Sequence, residues 1–321
     1  MKIVIPGGSG QVGTVLARAF HAAGDEVILL SRSPALAPWR VVSWDPPSIG
    51  PWAEELNDAD VVINLAGRNV NCRYTAASRR EIMESRVAST VAVGAAIERA
   101  ARPPALWLQA STATIYAHRF DASNDEATGQ IGGHEPGAPA SWHFSIEVAQ
   151  NWERACNAAR VPHTRRVLMR SAVIMSPDRG GIFDTLLSLV RGGLGGRAGN
   201  GRQYVSWIHD ADFIRVIDHL LLREHFDGTV NLASPGPISN SVFMRILRGA
   251  WGGRVALPVT RPTLEIGAFL LRTESELVLK SRRVVPRRLL DDGFAFQFPH
   301  WDDAARDLVA RWRNQRVASR H

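Results

Sequence analysis

Three glycines spaced three residues apart, Gly7, Gly10 and Gly13, constrain the fold of this 321-residue chain more than any other feature. They follow the apolar run Ile3–Ile5, which predicts a buried strand, and they open an amphipathic segment that predicts a helix. Free amides in the first turn of such a helix bind phosphate at the positive end of the helix dipole. We therefore predict a dinucleotide-binding loop, against the alternative of an ordinary turn. Its predicted contacts are Gly7, Gly10, Gln11, Val12 and Gly13.

The end of the second apolar run, Ser31 and Arg32, bears on the choice of dinucleotide. An NAD-selective site usually places Asp or Glu here, where it binds the ribose hydroxyls. A hydroxyl and a guanidinium instead suit a ribose 2′-phosphate through charge-assisted hydrogen bonds. The sequence therefore predicts NADP as the cofactor, against the alternative of a solvent-facing arginine in a turn.

The first half of the chain alternates short apolar runs with helical periods, which is typical of βαβ units. The strand candidates are Lys2–Ile5, Glu26–Leu30, Val41–Trp44, Val61–Leu65, Ala105–Ala110 and Thr164–Met169. The helix candidates between them are Gln11–Ala23, Arg79–Ala101 and His143–Arg160. Because such crossovers are right-handed, we predict an α/β fold with a Rossmann-type doubly wound parallel sheet.

After residue 170 the pattern changes and predicts a smaller mixed α/β substrate lobe, packed closely on the first. We predict a cofactor domain over residues 1–170 and a substrate lobe over 171–321, with a tail from about residue 255. Its element candidates are Asp210–Leu222, Thr229–Leu232, Ser239–Gly249 and a strand or extended piece at Phe294–Phe298. A glycine-rich loop that carries Arg191, Arg197 and Arg202 could close over an anionic substrate, or be a surface loop.

The net charge of +7 raises the question of nucleic-acid binding. The arginines are spread along the chain rather than clustered, which favours solvated helix faces, and the only lysines are Lys2 and Lys280. Cys72 and Cys156 are predicted to be free thiols. Residue spacing and hydropathy predict no metal and no membrane span, and the short first apolar run predicts a cytoplasmic location.

Several further motifs, together with the GxxGxxG spacing, resemble one family over almost the whole chain. They are Val62–Gly67, Glu84–Arg86 with Ser89 and Thr90, Gly199–Gln203, Ser206–His209, Arg283–Pro286, Leu289–Leu290, Gly293–Phe294 and Phe296–Phe298. They resemble the atypical extended short-chain dehydrogenase/reductases of the epimerase family, which are NAD-dependent epimerase/dehydratase-like and carry a C-terminal domain of unknown function. The resemblance implies a nucleotide pocket lined by Leu65, Ala66 and Gly67, with Arg86 on the following helix.

In the wider class a Tyr-x-x-x-Lys pair on one helix face handles the proton, because the lysine lowers the tyrosine pKa. In the register that the resemblance implies, Phe144 replaces the tyrosine and Val148 replaces the lysine. A shift of register restores nothing, since no lysine lies between Lys2 and Lys280 and this helix contains no tyrosine. We predict that the usual pair is absent.

The remaining catalytic candidates are Thr112, which the resemblance places at the substrate carbonyl, and Tyr116. His143, Ser145 and Glu147 are further protonatable or hydroxyl neighbours, and every one of these residues has a purely structural alternative. His209 and Asp212 could form an acid–base or metal pair, although helix capping by Asp210 or Asp212 above a packed His209 is the simpler interpretation.

Two functions remain open at this stage. The first is an NADP-dependent epimerase or reductase-like enzyme that acts on a small substrate, with anionic substrates compatible with the arginine loop. The second, motivated by the missing pair, is a non-catalytic NADP(H)-binding sensor. The hypothesis of a nucleic-acid-binding protein would rest on net charge alone. No sequence pattern indicates the oligomeric state.

Overall fold

Parallel strands form the central sheet in the computed structural model, which describes residues 1–46, 48–133, 135, 139, 142–253, 257 and 276–318. The strands are β1 (Lys2–Pro6), β2 (Glu26–Ser31), β3 (Arg40–Ser43), β4 (Val61–Asn64), β5 (Leu106–Thr112), β6 (Arg165–Ser171), β7 (Val173–Met175), β8 (Tyr204–Val205), β9 (Trp207–His209), β10 (Gly228–Leu232) and β11 (Ile238–Ser239). The seven-stranded sheet has the order β3–β2–β1–β4–β5–β6–β10, and each neighbouring pair is parallel. Two small sheets pair β7 with β9 and β8 with β11.

Helices cover both faces of this sheet. They are α1 (Gln11–Ala22), α2 (Ala76–Arg99), α3 (His143–Asn157), α4 (Ile182–Arg191), α5 (Asp210–Leu222), α6 (Asn240–Trp251), α7 (Glu276–Leu279), α8 (Arg287–Asp291) and α9 (Trp301–Ala318). Side chains of α1 and α5 share one buried cluster with one face of the strands, and α2 and α3 share a second cluster with the other face. The predicted doubly wound Rossmann-type sheet is confirmed.

The strands are buried because their apolar side chains alternate between the two clusters. Ile3 and Ile5 of β1 belong to the first cluster, and Val4 belongs to the second. Both faces need apolar residues in a parallel sheet that is covered on both sides, which explains the continuous apolar runs of the sequence. The direction of strand order reverses between β1 and β4, and ligands bind at such a switch point in open α/β sheets.

The sheet crosses the domain boundary that the sequence predicts at residue 170. Strand β10 follows that boundary by more than fifty residues, yet its Val230 pairs with Met169 of β6. The segment Phe294–Phe298 has no strand assignment and bends at Gln297. Most of the beginning of the predicted tail, from about residue 255 to 275, lies outside the described residues.

The glycine-rich loop after α4 is held in place by hydrogen bonds and a stacking contact rather than free to move on a hinge. The amide of Ala198 donates to Asn240 Oδ1 at 2.8 Å, and the amide of Ser241 donates to the Gly201 carbonyl at 3.0 Å. Arg191 lies over the ring of Trp312, with its guanidinium carbon 4.8 Å from the ring centroid. The interpretation of this loop as a closing lid therefore loses support, because two backbone anchors and a stacked arginine hold it.

Candidate cofactor site and active site

The turn after β1 has the backbone geometry that only glycine adopts easily. Gly7 has a φ of +73°, in the left-handed region, and its amide donates to the Leu30 carbonyl at 2.9 Å. A Cβ at this position would lie 2.5 Å from Ala66 Cα. Gly7 therefore makes the turn and also lets the end of β4 approach it.

The other two glycines of the loop differ in what surrounds them. A Cβ at Gly13 would collide with the backbone of Gly8, so this glycine lets the loop lie against α1. At Gly10, which precedes α1 without a side-chain cap, a Cβ would meet only the Gly7 carbonyl at 3.8 Å. The backbone at Gly10 is exposed, and the first amides of α1 can approach a ligand there. Val12 packs its side chain against the sheet core.

Gln11 adds a polar group to this loop. Its Nε2 is buried and has no hydrogen-bond partner among the described residues, so a ligand oxygen could satisfy it. The same amide lies against Gly181 at the start of α4, where any Cβ would collide with it. Only glycine at position 181 leaves room for the Gln11 side chain.

The end of β2 offers a positive charge. Ser31 is buried, and its Oγ lies 3.1 Å from Ser9 Oγ, which joins the end of β2 to the glycine loop. Arg32 is exposed and makes no hydrogen bond or ion pair within the described part of the chain. The open turn, the unsatisfied amide of Gln11 and the unengaged guanidinium fit a dinucleotide with a ribose phosphate.

The end of β4 completes the nucleotide side of the site. The Leu65 amide donates to the Pro6 carbonyl at 2.9 Å, and the Ala66 amide donates to Asn64 Oδ1 at 3.1 Å. Exposed Gly67 lies against the Arg86 side chain, whose guanidinium carbon is 5.0 Å from the Trp152 ring centroid. Burial lowers the pKa of Arg86 to about 10. The residues predicted to bind the cofactor are thus gathered along one edge of the sheet.

Thr112 ends β5 at the same edge and is only partly buried. Its Oγ1 accepts a hydrogen bond from the Thr114 amide at 3.1 Å. Among the described residues its own O–H has no acceptor, and it can donate to a substrate oxygen.

Tyr116 lies in the interior. It is 2% exposed, and its hydroxyl donates to Asn231 Oδ1 at 2.9 Å, while the Arg170 guanidinium lies over its ring. Burial raises the pKa of the phenol, which makes proton release harder. These contacts are those of a packed core residue, so of the two catalytic candidates the geometry favours Thr112.

The two positions assigned to the missing pair lie in an apolar cluster. Phe144 and Val148 of α3 pack with Ile82, and the Phe144 ring meets Tyr74 edge to face at a centroid distance of 5.2 Å. His143 and Glu147 on the same helix are exposed. Ser145 differs from them, because its Oγ donates to Glu276 Oε2 at 2.6 Å.

The segment Glu276–Arg282 reaches this edge from the C-terminal part of the chain, and the sequence analysis did not anticipate it. Lys280 Nζ donates to the Thr114 carbonyl at 2.8 Å, and Arg282 Nε donates to Thr114 Oγ1 at 3.1 Å. Burial lowers the pKa of Lys280 to about 8. The scarcity of lysine was the available signal, since Lys2 and Lys280 are the only two in the sequence, but no local pattern links Lys280 to β5.

His209 and Asp212 do not form an acid–base pair with each other. His209 Nδ1 itself accepts from the Ala211 amide and caps α5, while its Nε2 lies 3.0 Å from Asp307 Oδ2. Asp212 accepts from the amides of Gln297 and Phe298 at 2.7 and 2.8 Å. Asp212 therefore anchors the C-terminal segment at Gln297 and Phe298 rather than capping its own helix.

Other expectations concern metals, thiols and membranes. Both cysteines are free thiols, and Cys156 is buried. Within the described ranges, no three His, Cys, Asp or Glu side chains are grouped as metal ligands. None of the helices in those ranges has both the length and the apolar character to cross a bilayer.

Comparisons with known proteins match both parts of the chain. A family model described as the NAD dependent epimerase/dehydratase family matches residues 3–233, and a domain of unknown function, DUF1731, matches residues 259–308. Human epimerase family protein SDR39U1 is 31% identical over 97% of this chain and 100% of its own length. An epimerase family protein of Mycobacterium bovis is 30% identical over 92% of this chain and 93% of its own.

Solved structures give the same picture. The human SDR39U1 structure with NADPH has a TM-score of 0.83 and 29% identity, and covers 97% of this chain and 99% of that one. UDP-glucuronic acid 4-epimerase from Bacillus cereus, in complex with UDP-glucuronic acid and NAD, has a TM-score of 0.74 at 14% identity, covering 98% and 100%. The second likeness is one of fold alone.

Proposed function

Because the chain belongs to the NAD-dependent epimerase/dehydratase family, as its motifs predict, we propose that it is an NADP-binding oxidoreductase with an atypical active site. The observation that carries this proposal is the open glycine turn beside an unengaged Arg32 at the end of β2. The NADPH in the human relative's structure supports the same cofactor.

The chain's own residues have separate tasks in this proposal. The amides at Gly10, Gln11 and Val12 bind the pyrophosphate, and Ser31 and Arg32 bind the ribose 2′-phosphate. The ends of β4 and α2, with Leu65, Ala66, Gly67 and Arg86, wall the nucleotide pocket. When bound, the nicotinamide supplies hydride transfer.

Thr112 orients the substrate in this proposal. Its hydroxyl donates to a carbonyl or alcohol oxygen of a small substrate at the carboxyl end of β5. Tyr116 stays a predicted participant, but its bond to Asn231 fits a residue that holds β5 against β10. The exposed Arg197 and Arg202 of the glycine-rich loop carry positive charge, which favours phosphate-bearing or other anionic substrates.

The test of this proposal is a titration of the purified protein with NADPH and NADH, followed by nicotinamide fluorescence. Preferential binding of NADPH is expected, and failure to bind either nucleotide would overturn the proposal. Thr112→Ala is expected to lower turnover about 10²-fold or more, with unchanged NADPH affinity.

A second candidate function is a non-catalytic NADP(H) sensor. The apolar cluster around Phe144 and Val148 favours it, since no proton can be exchanged at these two side chains. Tight NADPH binding without turnover, and turnover gained by Phe144→Tyr/Val148→Lys, would support the sensor. A cytoplasmic location, and the absence of metal and nucleic-acid ligands, stay predictions of the sequence.

A further inference from the structure

A hydroxyl, a carboxylate and an ammonium group form a chain of contacts at the catalytic edge of the sheet. Ser145 is in the first turn of α3, directly after Phe144, and it is partly exposed. Its Oγ donates to Glu276 Oε2 at 2.6 Å. The other oxygen of that carboxylate, Oε1, lies 3.7 Å from Lys280 Nζ.

The inner two members of this chain are shielded from water. Glu276 is 3% exposed and Lys280 is 1% exposed, and both belong to one helical turn at α7. Buried charges are tolerated when they are paired and hydrogen-bonded, and Lys280 also donates to the Thr114 carbonyl at 2.8 Å. Thr114 is two residues beyond Thr112, so the ammonium group lies beside the end of β5.

The groups that face Lys280 balance its charge. Arg282 lies on the same segment and lowers the lysine pKa, while Glu276 and Glu135 raise it. His118 lies near Lys280, and its own pKa is lowered chiefly by burial. Burial is the dominant effect on Lys280, and it brings the pKa of the ammonium group to about 8, where it can exchange a proton near neutral pH.

We propose that Ser145, Glu276 and Lys280 are a proton-transfer chain that the C-terminal segment supplies in place of the missing tyrosine–lysine pair. The inference rests on the proposed function, and its substrate is a small secondary alcohol or the corresponding ketone. Ser145 is the catalytic residue that touches the substrate, and Glu276 and Lys280 act through it.

The step balances in the direction of alcohol oxidation. The substrate O–H bond breaks and its proton passes to Ser145 Oγ, while Ser145 gives its own proton to Glu276 Oε2. The C–H bond of the same carbon breaks and its hydride goes to an oxidised nicotinamide dinucleotide, which leaves a ketone. Lys280 keeps Glu276 ionised before the transfer, and ketone reduction follows the reverse path.

The first experiment separates this chain from a structural ion pair that only fastens the C-terminal segment. Ser145→Ala, Ser145→Thr and Glu276→Gln are compared with the wild type, with exposed Ser188→Ala on α4 and Glu98→Gln on α2 as matched controls. The probes are NADPH with phenanthrenequinone, a small aromatic dicarbonyl, and NADP⁺ with UDP-glucuronic acid, a secondary alcohol. The dissociation constant of NADPH is measured for every variant.

Ser145→Ala and Glu276→Gln are expected to lower kcat about 10²-fold or more, with NADPH binding within about threefold of the wild type. Ser145→Thr, which keeps the hydroxyl, is expected to recover most of the activity. For alcohol oxidation Glu276 must be ionised, so kcat falls as the pH is lowered, and this acidic limb is expected to disappear in Glu276→Gln. A merely structural pair would not change the shape of the pH profile.

The second experiment needs no turnover, because the chain has only two lysines. Protein labelled with ¹³C-lysine gives two side-chain signals, which Lys2→Arg assigns. The Lys280 signal is expected to titrate near pH 8, and lower still in Glu276→Gln, because the carboxylate that raises its pKa is gone.

Three outcomes overturn the proton-transfer chain. They are Ser145→Ala turnover within about threefold of the wild type, a Lys280 titration that Glu276→Gln leaves unmoved, and turnover of neither probe by protein that binds NADPH. Failure of the wild type to bind NADPH overturns the proposed function and, with it, the hydride acceptor that the chain needs.

Discussion

The two ends of the proposed catalytic edge, one for the nucleotide and one for proton handling, are built in different ways. The nucleotide end, at the turn after β1 and the ends of β2 and β4, depends on backbone geometry, with Gly7 at positive φ and Gly13 against Gly8. The proton-handling end, at β5, α3 and the segment 276–282, depends on the buried charges of Glu276 and Lys280, which contact Ser145 and Thr114 more than a hundred residues earlier in the chain. We call the nucleotide end the backbone device, because its close backbone contacts leave no room for an added side-chain atom. We call the proton-handling end the charge device, because its buried charged groups are costly to leave without their partners.

The largest effect should come from breaking the charge device on one side. Glu276→Gln removes the carboxylate that faces two cations, the buried Lys280 and the partly buried Arg282, and should lower the free energy of unfolding by about 3–5 kcal/mol. Glu276→Gln/Lys280→Met also removes one of these cations and should recover part of that loss. Urea denaturation measures Glu276→Gln, Lys280→Met and the double variant, and a double variant as unstable as the sum of the single ones would refute this description.

At the nucleotide end, the next largest effect is expected from the cation. Arg32→Ala should weaken NADPH binding by about 1.5–3 kcal/mol, which is about 10- to 150-fold, because it removes charge-assisted hydrogen bonds. NADH has no 2′-phosphate and should bind the variant as it binds the wild type. Fluorescence titration with both nucleotides tests whether Arg32 binds the 2′-phosphate. An equal loss of NADH affinity would mean that Arg32 does not act through this phosphate. Arg18→Ala, which breaks a surface pair with Asp178, is the matched control.

The backbone device can be tested with one methyl group. Gly13→Ala places a Cβ against the Gly8 backbone and should cost about 1–3 kcal/mol of stability, with loss of NADPH affinity as the loop shifts. Thermal unfolding and nucleotide titration on the same sample measure the two effects. Wild-type affinity in this variant would show that the loop does not need its close approach to α1.

The pH dependence of stability should come from the proton-handling end. Between about pH 8 and the ordinary lysine pKa, Lys280 has lost its proton in the folded protein but keeps it in the unfolded chain. Unfolding then takes up a proton, so stability should rise with pH, by about 1 kcal/mol per pH unit at most. Urea midpoints measured from pH 7.5 to 9.5 should show this rise in the wild type, and Lys280→Met should lack it.

The smallest effect is expected at a glycine that lies outside both the nucleotide end and the proton-handling end. Gly249 lies on the exposed side of α6, and a Cβ there would meet nothing within 4 Å. Gly249→Ala should raise stability by about 0.5–1 kcal/mol, because alanine loses less backbone entropy in a helix. A loss of stability would show that the cost at Gly13 is not specific to the loop.

The sequence predicted the nucleotide end better than the proton-handling end. Gly7, Gly10 and Gly13 are neighbours in sequence, and their spacing between an apolar run and an amphipathic segment predicted the strand, the turn and the helix. The strand and helix candidates of the first half match the observed elements to within a few residues, since apolar periodicity reports burial directly. The doubly wound parallel sheet was predicted from the right-handed crossover.

Contacts between distant segments could not be predicted in this way. The sequence made Tyr116 a catalytic candidate beside a strand end, with a structural role as the alternative, and Asn231 and Arg170 enclose it from two other strands. The capping of α5 by His209 depends on Asp307 in α9, about a hundred residues later. Lys280 could be excluded from α3 by its position, but no local pattern indicates that its side chain reaches Thr114.

The late position of Glu276 and Lys280 also orders events during synthesis of the chain. The glycine turn, Arg32 and Arg86 leave the ribosome before α3 and long before α7, and domains generally fold as the chain emerges. A growing chain can therefore acquire its nucleotide pocket while the edge of β5 still lacks its carboxylate and ammonium groups. In the proposed proton-transfer chain, proton exchange becomes competent only when translation has passed residue 280.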